Sequence, residues 1–279
     1  MPPGRRPRIV VTLTLALALL TPMAANMAGA RAGTPSETTV RLPIGTVSPT
    51  RPHGFHAPAS GPRPTPAEIA RRAAIVARWT NVIVHVPRTL PAFARPRSGS
   101  VRIGVVPAGS KYYGFPIVAW VEEVSKDGRW GLVELPYIWP RREGWIRLAG
   151  LERHATRIRV EVDLSRHLVT VTRLGDVLFR AAGATGSAAT PTPIGHYFVT
   201  DRVAFSPGGP LGSFAFGISG IQPRLPAGWS GGDQLAIHGT NQPWSIGRSA
   251  SAGCVHVSEA TLALLKPLLR YGTPVVVRP

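Results

Sequence analysis

Arg157-Ile158-Arg159-Val160-Glu161-Val162-Asp163-Leu164 puts an apolar side chain at every second position and a charged one between. A repeat of two is that of a β-strand, so the segment predicts a strand with one buried and one wet face. Leu168 to Thr172 and Val177 to Ala181 carry the pattern on either side of Leu174-Gly175-Asp176, which reads as a hairpin. Further on, Ser258 can cap a short helix with Leu262 and Leu265 turned inward, closed by Pro267. Tyr271-Gly272-Thr273 then turns the chain into a last strand, Pro274 to Val277.

Upstream, from about Leu90 to Glu152, short apolar runs alternate with Gly, Pro and charged turns without a helical period, so a small all-β unit is predicted. Ala94-Arg95-Pro96, Gly128-Arg129-Trp130 and Gly144-Trp145-Ile146 resemble the motifs of a bacterial SH3-like domain. That resemblance implies a small barrel over residues 90–152 with a wall-binding or spacing role. Its aromatics, among them Tyr112, Tyr113, Trp120, Trp130 and Trp139, fit a barrel core better than a ligand groove. Residues 31–89 read as a Pro-rich linker containing one helix. Thr65-Pro66-Ala67-Glu68 supplies a capping hydroxyl, a proline at the first helical position and a glutamate three residues after the cap, which predicts a helix over 66–79. Ile69, Ala73 and Val76 give that helix one face able to pack.

The first thirty residues hold Arg5, Arg6 and Arg8, an uncharged apolar run from Ile9 to Leu20, and Ala28-Gly29-Ala30. This is the layout of a secretory signal peptide, with cleavage expected after Ala30. The run is shorter than the roughly 20 residues a bilayer requires, so an uncleaved membrane anchor is the lesser reading. The expected location is outside the cytoplasmic membrane, in periplasm or cell wall. Lys and Arg exceed Asp and Glu by 32 to 14, a net charge of +18 spread along the whole chain. Such a surface suits anionic wall polymers; without a base-reading motif it does not point to nucleic acid.

There is one cysteine, Cys254, so no disulfide can form within the chain. Three readings of it stand on composition alone: a buried inert thiol, an intermolecular disulfide, or a nucleophile. Its neighbours favour the last. Ile237-His238-Gly239-Thr240 is followed, across a Pro- and Gly-containing loop, by Ser249-Ala250-Ser251-Ala252-Gly253-Cys254-Val255-His256. A thiol attacks well only as thiolate, and a nearby imidazole can take its proton. His238 and His256 are the two candidates. Gly253 leaves the thiol uncrowded and lets the amides of Gly253 and Cys254 converge as an oxyanion hole. A zinc site from His238, Cys254 and His256 fits no common ligand spacing.

These residues resemble the catalytic domain of the L,D-transpeptidases of the YkuD type. The family pattern runs His-Gly-Thr, a loop of this length, then Ser-x-Gly-Cys followed by Ile or Val and Arg. The resemblance extends from Arg157 to Val277 and takes in Val162-Asp163-Leu164, Thr192-Pro193-Ile194-Gly195-His196-Tyr197-Phe198, Ile246-Gly247-Arg248 and Gly272-Thr273-Pro274-Val275. It implies a mainly β architecture: a β-sandwich catalytic domain over 157–279 with one short C-terminal helix. It implies Cys254 as nucleophile, His238 as base, and Ser251, Gly253, Gly239 and Thr240 as oxyanion or positioning residues. The family arginine is replaced here by His256, which either supplies a weaker, pH-dependent anchor or is a satisfied histidine of the site's surroundings.

The implied reaction joins stem peptides of peptidoglycan through a cysteine acyl-enzyme, with no cofactor and no metal. Water as acceptor would give an L,D-carboxypeptidase, and an inert catalytic region would leave a wall-binding module. Val203 to Gly232, rich in Gly and Pro, is expected to be a lid over the donor site. Phe214, Phe216, Trp229, Arg248 and His256 are its expected substrate contacts.

Overall fold

The computed structural model describes residues 64–279. The expected signal peptide and nearly all of the linker before the first helix lie outside the described residues.

Helix α1 spans Pro66–Trp79 as the sequence predicts. The Thr65 hydroxyl accepts from the Glu68 amide, and the Glu68 carboxylate accepts from the Thr65 amide, the reciprocal capping that the Thr-x-x-Glu spacing signals. Its apolar face does not pack as expected, for Ile69 and Val76 are exposed. Trp79 anchors its end, with the guanidinium of Arg159 5.7 Å from the centre of its ring.

Seven strands follow: β1 Asn81–His85, β2 Leu90–Phe93, β3 Arg102–Val106, β4 Val118–Val124, β5 Trp130–Glu134, β6 Glu143–Arg147 and β7 Arg153–Thr156. They form one antiparallel sheet in the order β3-β2-β6-β5-β4-β1-β7. The expected boundaries were too narrow. β1 falls in the stretch read as linker, yet it is held between β4 and β7, and Val84 is fully buried. Trp120 and Trp130 are buried, whereas Tyr112, Tyr113 and Trp139 are exposed.

The second sheet is built from β8 Ile158–Asp163, β9 Leu168–Arg173, β10 Asp176–Ala182, β12 Gly195–Ala204, β13 Phe214–Ile221, β14 Gln234–His238, β16 Val255–His256 and β17 Pro274–Arg278. Two short strands, β11 Thr185–Gly186 and β15 Ser249–Ser251, pair separately. The order is β10-β9-β8-β17-β12-β13-β14-β16, with β8 parallel to β17 and β14 parallel to β16. β8 buries Val160 and Val162 as its alternation requires, and Leu174 and Gly175 make the β9–β10 turn with positive φ at both. Helix α2, Glu259–Leu265, is capped by Ser258 and buries Leu262 and Leu265 against this sheet. The molecule is therefore mainly β, with one short helix near its C-terminus.

The two sheets are fused through β12. Tyr197 and Val199 enter the core of the second sheet, and Phe198 between them enters the core of the first. Ser219 of β13 completes the seam, hydrogen-bonded to Glu134 of β5 and to the Phe198 amide.

The stretch from Val203 to Gly232 is not one lid. It contains the end of β12 and all eight residues of β13, with a loop on either side. Large side chains at 214, 216 and 218 alternate with small ones at 215, 217 and 219, and the large set faces the core. Phe216 is fully buried there and Phe214 packs on it at 4.9 Å between ring centres, so neither faces a substrate. Phe216→Ala is expected to destabilise the fold by about 3–5 kcal/mol, the usual cost of emptying a phenylalanine site. Urea unfolding measures it; a stable variant with weakened donor binding would restore the substrate-contact reading.

Candidate functional site

The opposite face of β12, β13, β14 and β16 opens on a cavity of 610 Å³. By strand alternation it receives Asp201 and Val203, Ala215 and Gly217, Gln234, Ala236 and His238, and Cys254 and His256. Tertiary structure thus brings together the thiol and both imidazoles that the sequence singled out. β14 and β16 pair in parallel with Ile237 opposite Val255 and His238 opposite His256, and Cys254 directly precedes the first paired residue of β16.

His238 is buried, and its Nδ1 faces the carbonyl oxygen of Gly239. A carbonyl only accepts, so Nδ1 carries the proton and Nε2 is left as the basic atom. Burial, then the neighbouring His256, push the pKa of His238 down to about 4 against an opposing pull from the Gly239 carbonyl. His256 packs on it, ring centres 4.6 Å apart, with Nδ1 3.4 Å from the Ser245 hydroxyl. Burial also lowers the pKa of His256, which favours the satisfied neutral histidine over the cationic anchor.

Cys254 is half-buried, and burial pushes its thiol up to about 11. Sγ lies 3.9 Å from the carbonyl oxygen of Gln234. These shifts all favour the neutral forms of the thiol and the two imidazoles.

The turn that presents the thiol is heavily braced. Ser251 Oγ donates to the Cys254 carbonyl at 2.6 Å and accepts from the Gly253 amide at 3.0 Å. Thr192 donates to the Gly253 carbonyl at 2.7 Å, Thr190 to the Ser251 carbonyl at 3.1 Å, and Gln222 Nε2 to the carbonyls of Thr190, Pro191 and Ala252. Sequence reasoning missed Gln222 and Thr190, and it noted Thr192 only as part of a matched segment. The Gly253 amide, expected in an oxyanion hole, is occupied by Ser251. Among the described residues the Cys254 amide has no such partner and is the donor left for that role.

Gly253 has φ +124°, and a Cβ there would lie 2.1 Å from Gln222 Nε2. Gly253→Ala is expected to cost about 1–3 kcal/mol in backbone strain and to slow acylation by displacing the turn. Acylation rate and unfolding free energy measured together check it, and unchanged acylation would dissociate the turn geometry from the chemistry.

Thr240 and Trp229 line the cavity, whereas Gly239 between His238 and Thr240 does not. Arg248 is exposed and does not line it; its backbone carbonyl pairs with Thr185. The two loops flanking β13 do, through Phe205, Leu211, Leu225 and Trp229. The first sheet contributes as well: Tyr112 and Tyr113 line the cavity, and Lys111 and the Tyr112 hydroxyl both bind Asp233, at 2.6 and 2.7 Å.

Residues 157–277 match the model of the L,D-transpeptidase catalytic domain. The YkuD protein of Bacillus subtilis, itself provisionally named an L,D-transpeptidase, is 31% identical over 94 residues, covering 34% of this chain and 49% of that one. The corresponding Bacillus licheniformis protein is 31% identical over 96 residues, covering 34% and 50%. The chain thus spans about half the length of these curated relatives. Among solved structures, a Mycobacterium tuberculosis L,D-transpeptidase aligns over 79% of this chain and 88% of its own at 20% identity and TM-score 0.37. The Enterococcus faecium L,D-transpeptidase C442S mutant aligns over 44% and 50% at 21% identity and TM-score 0.35.

Proposed function

We propose that the protein crosslinks peptidoglycan stem peptides through an acyl-enzyme on Cys254, a reading supported by the match of residues 157–277 to the L,D-transpeptidase catalytic domain. The observation that carries the reading is that the one thiol and the Nε2-basic imidazole of His238 line one cavity, carried on the paired strands β14 and β16 and the residue leading into β16.

His238 Nε2 takes the proton of Cys254 Sγ as the sulfur attacks the carbonyl carbon between an L-centre diamino acid and D-alanine. The carbonyl π pair moves to oxygen, to which the Cys254 amide can donate a hydrogen bond. Collapse expels the D-alanine nitrogen, which takes the proton back from His238, and leaves a thioester. An acceptor amine from a second stem then gives its proton to His238 and attacks the thioester. The sulfur leaves and recovers the proton.

In this reading the protein acts outside the cytoplasmic membrane, where peptidoglycan lies. The sheet from Asn81 to Thr156 serves, in this reading, as an SH3-like module that also walls the site, because Tyr112 lines the cavity and ties down Asp233. Intact-mass spectrometry after carbapenem treatment tests the assignment. One adduct mapping to Cys254 supports it, and a folded protein that gains none leaves a wall-binding module.

A further inference from the structure

The loop from Gln222 to Asp233 is closed at its base, where the Gln222 amide donates to the Asp233 carbonyl at 2.7 Å. Between these two feet, Pro223 to Gly231 are all exposed, and none of them belongs to either hydrophobic core. The ties within the loop are few. The Trp229 amide donates to the Pro226 carbonyl at 3.1 Å, and its indole N–H donates to the Gly232 carbonyl at 2.6 Å. A loop without buried apolar contacts has little of its own to fix it, so its place is set at its feet.

The two feet have different partners. Gln222 is buried, and its Nε2 donates to the carbonyls of Thr190, Pro191 and Ala252, the last of them two residues before Cys254. Asp233 is held by the first sheet instead. Between β3 and β4 the Ser110 amide donates to the Phe115 carbonyl at 2.8 Å, and the Phe115 amide donates to the Ser110 hydroxyl at 3.1 Å. The turn so closed carries Lys111 and Tyr112 to the loop. Lys111 Nζ donates to Asp233 Oδ1 at 2.6 Å and to Oδ2 at 2.7 Å. The Tyr112 hydroxyl donates to Oδ1 at 2.7 Å and accepts from the Asp233 amide at 3.1 Å. A partly exposed ion pair alone holds little, but a hydroxyl bonded to both the side chain and the amide of one residue fixes its backbone too. Gly232 leaves room for it, because a Cβ there would lie 2.9 Å from that hydroxyl.

We propose that Lys111 and Tyr112, carried by the first sheet, are positioning residues for the reaction at Cys254. They act through the two feet of the loop. Lys111 and Tyr112 hold Asp233, the Asp233 carbonyl holds the Gln222 amide, and the Gln222 side chain holds the turn that presents the thiol. The inference rests on the acyl-transfer reading of Cys254. It gives the first sheet a part in the chemistry beyond walling the cavity: a turn no longer braced by Gln222 keeps its sulfur but loses the fixed geometry that attack requires.

The test uses the full chain carrying Tyr112→Phe, which removes the hydroxyl and keeps the ring at the cavity. Adduct formation is followed against carbapenem concentration by intact mass, and amide hydrogen exchange is measured on the same protein. The limiting acylation rate is expected to fall about 5- to 30-fold, the span of one to two hydrogen bonds. The half-saturating concentration should stay within about 2-fold, because the ligand loses no contact. Amides of residues 251–254 should exchange faster while those of α2 do not change. Lys111→Met, which alters a side chain at the surface, should act in the same direction and carries the test if Tyr112→Phe does not fold. A raised half-saturating concentration at an unchanged limiting rate would make the Tyr112 hydroxyl a ligand contact and overturns the proposal. Faster exchange throughout, α2 included, marks a general loss of stability and overturns it as well. A wild type that forms no adduct removes the acyl-transfer reading itself, whereas a Tyr112→Phe variant acylated like wild type removes only the role of the first sheet.

Discussion

Cys254→Ala is expected to abolish the carbapenem adduct and all release of D-alanine, while changing the unfolding free energy by less than about 1 kcal/mol. The chemical loss is complete because the chain has no second thiol. The small structural effect follows from what holds the turn. Ser251, Thr190, Thr192 and Gln222 all bind backbone atoms around position 254, and none of them bonds the sulfur. The sulfur's own contact, 3.9 Å to the Gln234 carbonyl, is long and weak. Wild-type Cys254 should also react slowly with iodoacetamide near neutral pH, its rate still rising above pH 9, because burial pushes the thiol up to about 11. An inert structural thiol would give the reverse: a native protein resistant to alkylation at every pH and an alanine variant that unfolds.

Strand periodicity and spacing carried a great deal of this in the sequence. The alternation at Ile158–Leu164, the Leu174-Gly175 turn, the capping box at Thr65 and the Ser258 cap are all local signals, and each sits where it was expected. Cys254 and His238 stand out in the sequence because thiol-based acyl transfer calls for those two residue types, and the structure brings both to one cavity. The bracing of the thiol was not legible. Gln222 and Thr190 reach the 251–254 turn from 30 and 61 residues away, and nothing in their neighbours marks them.

Glycines at 212, 217 and 220 make the region around Phe214 and Phe216 read as loop in the sequence. The large-small alternation from Phe214 to Ser219 was the better signal, and it gives both the strand and the buried face. The same alternation turns Ala215 and Gly217 toward the cavity. Asn81-Val82-Ile83-Val84 was likewise a compact β-branched run, absorbed into the linker because the Pro-rich composition nearby dominated. The Tyr112–Asp233 contact, 121 residues apart in sequence, depends on the fusion of the two sheets through β12, which no local pattern announces.

His238→Ala is expected to slow acylation by at least about 100-fold, the lower end for loss of a general base. The pH dependence separates this from a packing defect. With a pKa near 4 where a free imidazole has 6.5, wild-type His238 remains neutral, and so competent, through the whole range in which an ordinary histidine would be lost. The acid limb of the wild-type acylation profile should therefore lie near pH 4, well below 6.5. Stability follows the same group: the native state resists protonation that the unfolded chain accepts. The contribution of His238 is thus fully present above pH 6.5 and is lost as pH falls from 6.5 toward 4. His256 provides an internal control. Its charge is one of the forces holding His238 down, so His256→Gln should move the acid limb upward while His238→Ala removes it. Acylation rates between pH 3.5 and 8 for wild type and both variants decide it. If His256→Gln rather than His238→Ala abolishes acylation, the base is His256 and the Nε2 assignment of His238 is wrong.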